Sequence, residues 1–246
     1  MNRQQAPDDG SAAAPHGADD GPIGLLGGSF DPVHAGHLQL ARDAQQGLAL
    51  AQVWFVPAGQ PWQKHGVTPA ADRLRMLELA LAPMAQWRID RREIDRDGPT
   101  YTIDTAGELR RQWGPRRPLV WLMGFDQLAR LPTWHRWREL LGQLHIAYAL
   151  RPGTGARLEA VMQRYEQAHR GAAQDLQREA AGRLVRFAMQ PVDCSATQIR
   201  RALARGSPQD AAYAARHVPA PVLDYIRERN LYAAEHGHEK TAAPGR

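Results

Sequence analysis

Short apolar runs alternate with longer amphipathic stretches along this chain, and that alternation restricts the fold more than any other feature. The runs Ile23 to Leu26, Val53 to Val56, Trp87 to Ile89, Leu119 to Met123, His145 to Leu150 and Leu184 to Met189 read as buried strands. Between and after them, Ala35 to Leu50, Ala70 to Leu81, Thr102 to Trp113, Trp134 to Leu141, Ala156 to Ala181 and Ala196 to Ala204 follow helical spacing. Gly171 marks a break point in the longest of these, and a proline-started helix follows Val218. Strands that alternate with helices imply a parallel sheet covered on both faces, an α/β fold. Thr102 and Asp104 act as start signals for the third helix and Gly206 as the stop of the sixth. A length of 246 residues, 43% of them hydrophobic, is enough for a single domain, expected over 22–233. Segments 1–21 and 234–246 lack apolar periodicity and are expected to be disordered tails.

In an open parallel sheet the ligand lies beyond the carboxyl ends of the strands, so the loops that follow the strands are where chemistry is sought. After the first strand stands Gly27-Gly28-Ser29-Phe30-Asp31-Pro32-Val33-His34-Ala35-Gly36-His37. Gly27 and Gly28 are read as letting the backbone approach a ligand, and the helix N-terminus that follows suits a phosphate. His34 and His37, three apart, share one face of the first helical turn and can stabilise developing charge. No serine, cysteine or lysine stands between them, which favours direct attack on a bound nucleotide over a covalent intermediate. Neither the G-x-G-x-x-G turn nor the G-x-x-x-x-G-K-S/T loop is present.

Charge points the same way. The net charge is +5, but the first 22 residues hold Asp8, Asp9, Asp19 and Asp20 against Arg3, a net of −3, so +8 falls on the rest. That balance suits anionic ligands. Lys64 and Lys240 are the only lysines, which makes Lys64, in the loop after the second strand, more noticeable than any arginine. The one cysteine, Cys194, excludes an internal disulfide, and no run reaches the length of a membrane helix, so a reducing cytoplasm is the expected location and no membrane is expected as partner. A nucleic-acid binder should interleave aromatic residues with a basic stripe, and that pattern is missing. Read without relatives, Trp134 is a packing residue, Thr102 a helix-start residue and Ser195 an ordinary N-cap.

His34-Ala35-Gly36-His37 resembles the hallmark of the HxGH nucleotidyltransferase superfamily, and the longer string from Gly27 is similar to the opening of bacterial nicotinate-nucleotide adenylyltransferases. Pro99-Thr100-Tyr101-Thr102, Gly124-Phe125-Asp126-Gln127-Leu128, Pro132-Thr133-Trp134 and Cys194-Ser195-Ala196-Thr197-Gln198-Ile199-Arg200 resemble further motifs of that family, in the same order. Two departures stand out: Trp62 and Gln63 where the family has Pro-Pro-His-Lys or a close variant, and Cys194 in place of isoleucine. The resemblance implies a Rossmann-like doubly wound parallel sheet and transfer of AMP from ATP to nicotinate mononucleotide. It implies catalytic roles for His34 and His37, and ATP contacts from Gly27, Gly28, Ser29, Phe30, Gly36, Lys64, Ser195, Thr197 and Arg200. Thr102, Asp126, Trp134 and Arg151 would meet the mononucleotide. Mg2+ would arrive with ATP, since no carboxylate cage is visible. The Cys194 thiol is expected to be a buried spectator. A homo-oligomer is compatible with the sequence. Pantetheine-phosphate adenylyltransferases and cytidylyltransferases, the nearest enzymatic rivals, share only the first and last motifs. A non-catalytic nucleotide sensor would be expected to have lost a histidine.

Overall fold

All six apolar runs form strands, and each pairs in parallel with its neighbours in the computed structural model, which describes residues 21–60, 66–150 and 157–233. The strands are β1 (Ile23–Gly28), β2 (Gln52–Pro57), β3 (Trp87–Ile89), β4 (Leu119–Gly124), β5 (His145–Leu150), β6 (Arg170–Gly171) and β7 (Leu184–Ala188). Their order across the sheet is β3-β2-β1-β4-β5-β7-β6. The chain runs outward from β1 to β3, then returns to lay β4 on the other side of β1. The sheet is therefore doubly wound, with its topological switch point between β1 and β4. Continuous apolar sequence in β1, β4 and β5 fits strands buried on both faces.

The helices are α1 (Ala35–Gly47), α2 (Ala70–Leu81), α3 (Thr102–Trp113), α4 (Phe125–Arg130), α5 (Ala160–His169), α6 (Ala196–Arg205), α7 (Pro208–His217) and α8 (Ala220–Glu228). Two apolar cores result. One holds Leu40, Ala44, Phe55, Met76, Leu77, Ile199 and Val222 under α1, α2, α6 and α8. The other holds Leu25, Trp121, Ile103, Leu109, Leu128 and Met162 under α3, α4 and α5.

Three expectations need correction. The long helix Ala156 to Ala181 is broken: α5 stops at His169, and Arg170 and Gly171 add a seventh strand beside Leu184 and Val185. A Cβ at Gly171 would come 3.0 Å from the Arg183 side chain, so a larger residue where that strand closes on its neighbour would require Arg183 to shift. The segment Trp134 to Leu141 is not an α-helix. The first turns after β4 are taken by α4 and a 3-10 turn, Leu131–Thr133, and after left-handed Arg136 a second 3-10 turn runs over Trp137–Gly142. Third, α7 went unanticipated, although Ser207 caps it through Asp210 N–H and Pro208 opens it, the arrangement a helix start favours. The tails 1–20 and 234–246 lie outside the described residues.

Candidate active site

The loop that leaves β1 is built as a helix cap. His34 is the N-cap of α1, and its Nδ1 accepts from Gly36 N–H at 3.2 Å while His37 Nδ1 accepts from His34 N–H at 3.3 Å. The two imidazoles thus replace the serine and glutamate of an ordinary capping box. A backbone N–H aimed at Nδ1 requires a lone pair there, so both rings carry their proton on Nε2. The rings stack with centroids 3.8 Å apart, and Phe30 lies edge-on to His37 at 5.0 Å. His34 is buried and His37 half-buried. Phe30 is fully buried although its φ is 48°, a left-handed backbone that costs a bulky residue about 1 to 3 kcal/mol and that the packing of its ring against Phe55 offsets. Asp31 and Pro32 are joined by a cis peptide bond.

The glycines divide by role. A Cβ on Gly27 would lie 2.2 Å from Trp121 Cζ2 on β4, so packing against the indole is by itself a reason for glycine here, while the residue stays partly accessible at the end of β1. One on Gly28 would meet the Phe30 ring at 3.2 Å. One on Gly36 would lie 3.1 Å from the His34 ring and 3.6 Å from Cys194 Sγ, so glycine there leaves room for the imidazole.

A second helix N-terminus arrives at the same place. Ser195 caps α6 through Gln198 N–H, and its hydroxyl donates to Gln198 Oε1 at 2.8 Å. Thr197 is exposed on the first turn. Cys194 Sγ stands 3.5 Å from His34 Nδ1, which joins the starts of α1 and α6, so the thiol is buried as expected but touches a site residue. Arg200 donates from Nη1 to the Asp31 carbonyl at 2.6 Å, which ties α6 to the turn.

Sequence reasoning missed three residues here. Arg73 on α2, 1% exposed, donates to the carbonyls of Thr68, Ser29 and Gly59, so one guanidinium fastens the loops that follow β1 and β2. Burial presses its pKa below the ordinary arginine value, and the Asp31 charge opposes that shift. The Asp31 carboxylate accepts from Tyr232 Oη at 2.6 Å and from Thr68 N–H at 3.4 Å. Nothing in composition singles out Arg73 in an arginine-rich chain; its one signal is a charge between Asp72 and Leu74 on a buried helix face.

Of the residues expected to meet the mononucleotide, Thr102, Asp126 and Trp134 lie on segments that pack against the other core. Thr102 opens α3, but Tyr101 is its N-cap and makes no side-chain cap bond, so the start signal assigned to Thr102 is displaced by one residue. The Tyr101 ring lies 4.6 Å from His135, which brings the start of α3 beside the segment after Trp134. Trp134 is half-buried and its N–H donates to Leu131 O, so it ends a turn instead of beginning a helix. Asp126 is exposed on the first turn of α4, its Oδ1 only 2.5 Å from where a Cβ on Gly124 would sit, and its Oδ2 accepts from Gln127. Below α3, Thr105 Oγ1 donates to Glu93 Oε1 at 2.7 Å, while burial pushes that carboxyl's pKa up. Lys64 and Arg151 lie outside the described residues. No group of three or more His, Cys, Asp or Glu able to hold a metal occurs among the described residues, and no helix among them is long and apolar enough to cross a membrane.

A family model described as cytidylyltransferase-like matches residues 25–202. A protein of Laribacter hongkongensis (strain HLHK9) named "probable nicotinate-nucleotide adenylyltransferase" is 45% identical over 216 residues, which cover 87% of this chain and 95% of its own. One of the same name from Dechloromonas aromatica (strain RCB) is 40% identical over 219 residues, 86% of this chain and 97% of its own. Among solved structures, the Plasmodium falciparum nicotinic acid mononucleotide adenylyltransferase complexed with NaAD superposes with a TM-score of 0.67 at 15% identity, over 86% of this chain and 97% of that one.

Proposed function

The chain belongs to the cytidylyltransferase-like family and, within it, to the nicotinate-nucleotide adenylyltransferases; from that premise we propose how its own residues carry out the transfer. The substrates are ATP and nicotinate mononucleotide, and the products are nicotinate adenine dinucleotide and pyrophosphate. A phosphate oxygen of the mononucleotide attacks the α-phosphorus of ATP. The new P–O bond forms as the bond from that phosphorus to the bridging oxygen breaks, and pyrophosphate leaves with the electron pair.

What carries the reading is the stacked histidine pair at two converging helix N-termini. Each ring has its Nδ1 committed to a backbone N–H, so each presents Nε2–H as its donor, the group needed where negative charge gathers on phosphate oxygens. The N-terminal dipoles of α1 and α6 add fixed positive potential without reorganisation. Ser195, Thr197 and Arg200 hold the departing pyrophosphate, and Ser29, Gly36 and Lys64 are assigned further contacts to the nucleotide. Thr102 and Trp134 face the pyridine ring, while Asp126 and Arg151 position the rest of the mononucleotide.

Divalent magnesium is a hard cation that prefers oxygen ligands, and the histidine-rich turn offers nitrogen. The Asp31 carboxylate is occupied by Tyr232 and Thr68. The donor set therefore fits a metal that arrives on the ATP phosphates, and when bound it lowers their charge. The single cysteine supports a cytoplasmic location. Incubation of the purified protein with ATP, magnesium and each candidate mononucleotide tests the reading, with released pyrophosphate as the readout. Turnover of pantetheine phosphate, or of CTP in place of ATP, would transfer the site to another branch of the superfamily.

A further inference from the structure

Asp31 is the meeting point of three elements that the reaction as described does not explain. Its carboxylate accepts from the Tyr232 hydroxyl at 2.6 Å and from Thr68 N–H at 3.4 Å. Two guanidinium groups stand close. Arg73 is buried with Nε, Nη1 and Nη2 each bonded to a carbonyl, so it contributes charge but cannot turn toward the carboxylate. Arg200 is different. Its Nη1 bonds the Asp31 carbonyl and stops 3.9 Å from Oδ2, and its side chain is 37% exposed against 5% for Asp31. Carboxylate and guanidinium thus already form a long ion pair, and only a direct hydrogen bond between them is missing.

We propose that Tyr232 is a positioning residue for nucleotide binding: by bonding Asp31 Oδ1, it keeps the long Asp31–Arg200 ion pair from closing into a hydrogen bond and so leaves the remaining donors of that guanidinium for the phosphates of ATP. The inference rests on the role given to Arg200 above. Tyr232 is itself held in place from several sides. Its backbone is left-handed, with φ 62°, and it follows α8, which packs on α2 and is pinned there by Tyr225 Oη donating to Asp72 at 2.7 Å. The phenol also reaches Met76 Sδ at 3.9 Å, and Thr68, Arg73, Arg200 and Asp31 are the polar groups that face it. Burial and the Asp31 charge raise its pKa, so the hydroxyl remains a donor across the working pH range. Removal of the phenol oxygen leaves a buried carboxylate oxygen without its shortest partner. Arg200, with donors to spare on a flexible stem, is the group that can replace it.

The test is a set of variants read by ATP affinity, measured calorimetrically with magnesium present, and by steady-state kinetics. Tyr232→Phe should weaken ATP binding about three- to tenfold, the size of one hydrogen bond, and leave the KM for the mononucleotide within about twofold. In an Arg200→Ala background the same change should have no further effect on ATP. Adding Asp31→Asn to Tyr232→Phe removes the competing charge and should restore much of the affinity. Unchanged ATP binding in Tyr232→Phe, or an equal loss with and without Arg200, would overturn the proposal, as would parallel losses for both substrates. The binding arm needs no acceptor, so a protein that bound ATP as described but did not turn over nicotinate mononucleotide would refute the assigned reaction and leave this inference standing.

Discussion

Replacing Gly27 by alanine separates two readings of the most constrained turn in the chain. In sequence, Gly27 looks like a residue kept small for a ligand. In the structure the place of a side chain is taken by Trp121: the new Cβ would lie 2.2, 2.9 and 3.1 Å from Cζ2, Cη2 and Cε2, where carbon atoms normally rest about 3.5 to 4.0 Å apart. The indole cannot simply swing away, since Trp121 is 3% exposed in the central strand next to β1. Overpacking of this kind costs about 1 to 3 kcal/mol and sometimes more. A 2.2 Å approach belongs at the upper end of that range, about 3 kcal/mol; the φ of Gly27 is not left-handed, so alanine recovers about 0.5 to 1 kcal/mol of backbone entropy, and a net loss of about 2 kcal/mol is expected. For a domain of this size that is a fall of roughly 4 to 8 °C in Tm, readable by circular dichroism. The control is a double-mutant cycle: in Trp121→Phe, whose shorter ring clears the position, the added cost of Gly27→Ala should drop below about 1 kcal/mol. An unchanged Tm together with lost activity would refute the packing argument and return Gly27 to the ligand, and so would an equal cost in both backgrounds.

Other outcomes follow from the same contacts. His34→Ala and His37→Ala should each reduce pyrophosphate release by about a hundredfold or more, with His34→Ala also losing about 1 kcal/mol of stability as a lost cap, which separates from activity in a melt. Arg73→Met leaves three loop carbonyls without their donor and should destabilise the fold by about 3 to 5 kcal/mol, measured by urea unfolding; a loss under about 1 kcal/mol would mean that water replaces it. His145 is fully buried, donating from Nε2 to Glu179 O and accepting Arg183 N–H on Nδ1, and burial lowers its pKa below the ordinary 6.5. The unfolded chain then binds the proton more readily, so its contribution is complete above about pH 6.5 and is lost as the pH falls toward the lower folded value; Tm between pH 8 and 5.5 should drop less in His145→Asn than in the wild type. The acid mononucleotide should exceed the amide at least tenfold in kcat/KM, because a carboxylate suits N–H donors at the start of α3 that no side chain caps, while Trp134→Ala weakens both and preserves their ratio.

The strands and the first motif were legible because their signals are local. Apolar runs of strand length between amphipathic stretches admit few arrangements besides a covered parallel sheet, and a strand-turn-helix with two histidines three apart places both on one helical face whatever surrounds it. The break at Gly171 and the 3-10 turns after Trp134 were misread for the opposite reason. Helical spacing persists through Arg170, but the free edge of β7 pairs with that backbone, and a tertiary hydrogen-bond partner outweighs a weak local preference. What no stretch of sequence carries is partnership across distance. That Gly27 answers Trp121, that Arg73 binds three loop carbonyls, and that Tyr232 reaches back to Asp31 are decided only when the strand order brings those segments together. Chain composition and periodicity determine which faces must be buried; which side chain meets which depends on packing, where a misfit of one ångström costs as much as a whole hydrogen bond.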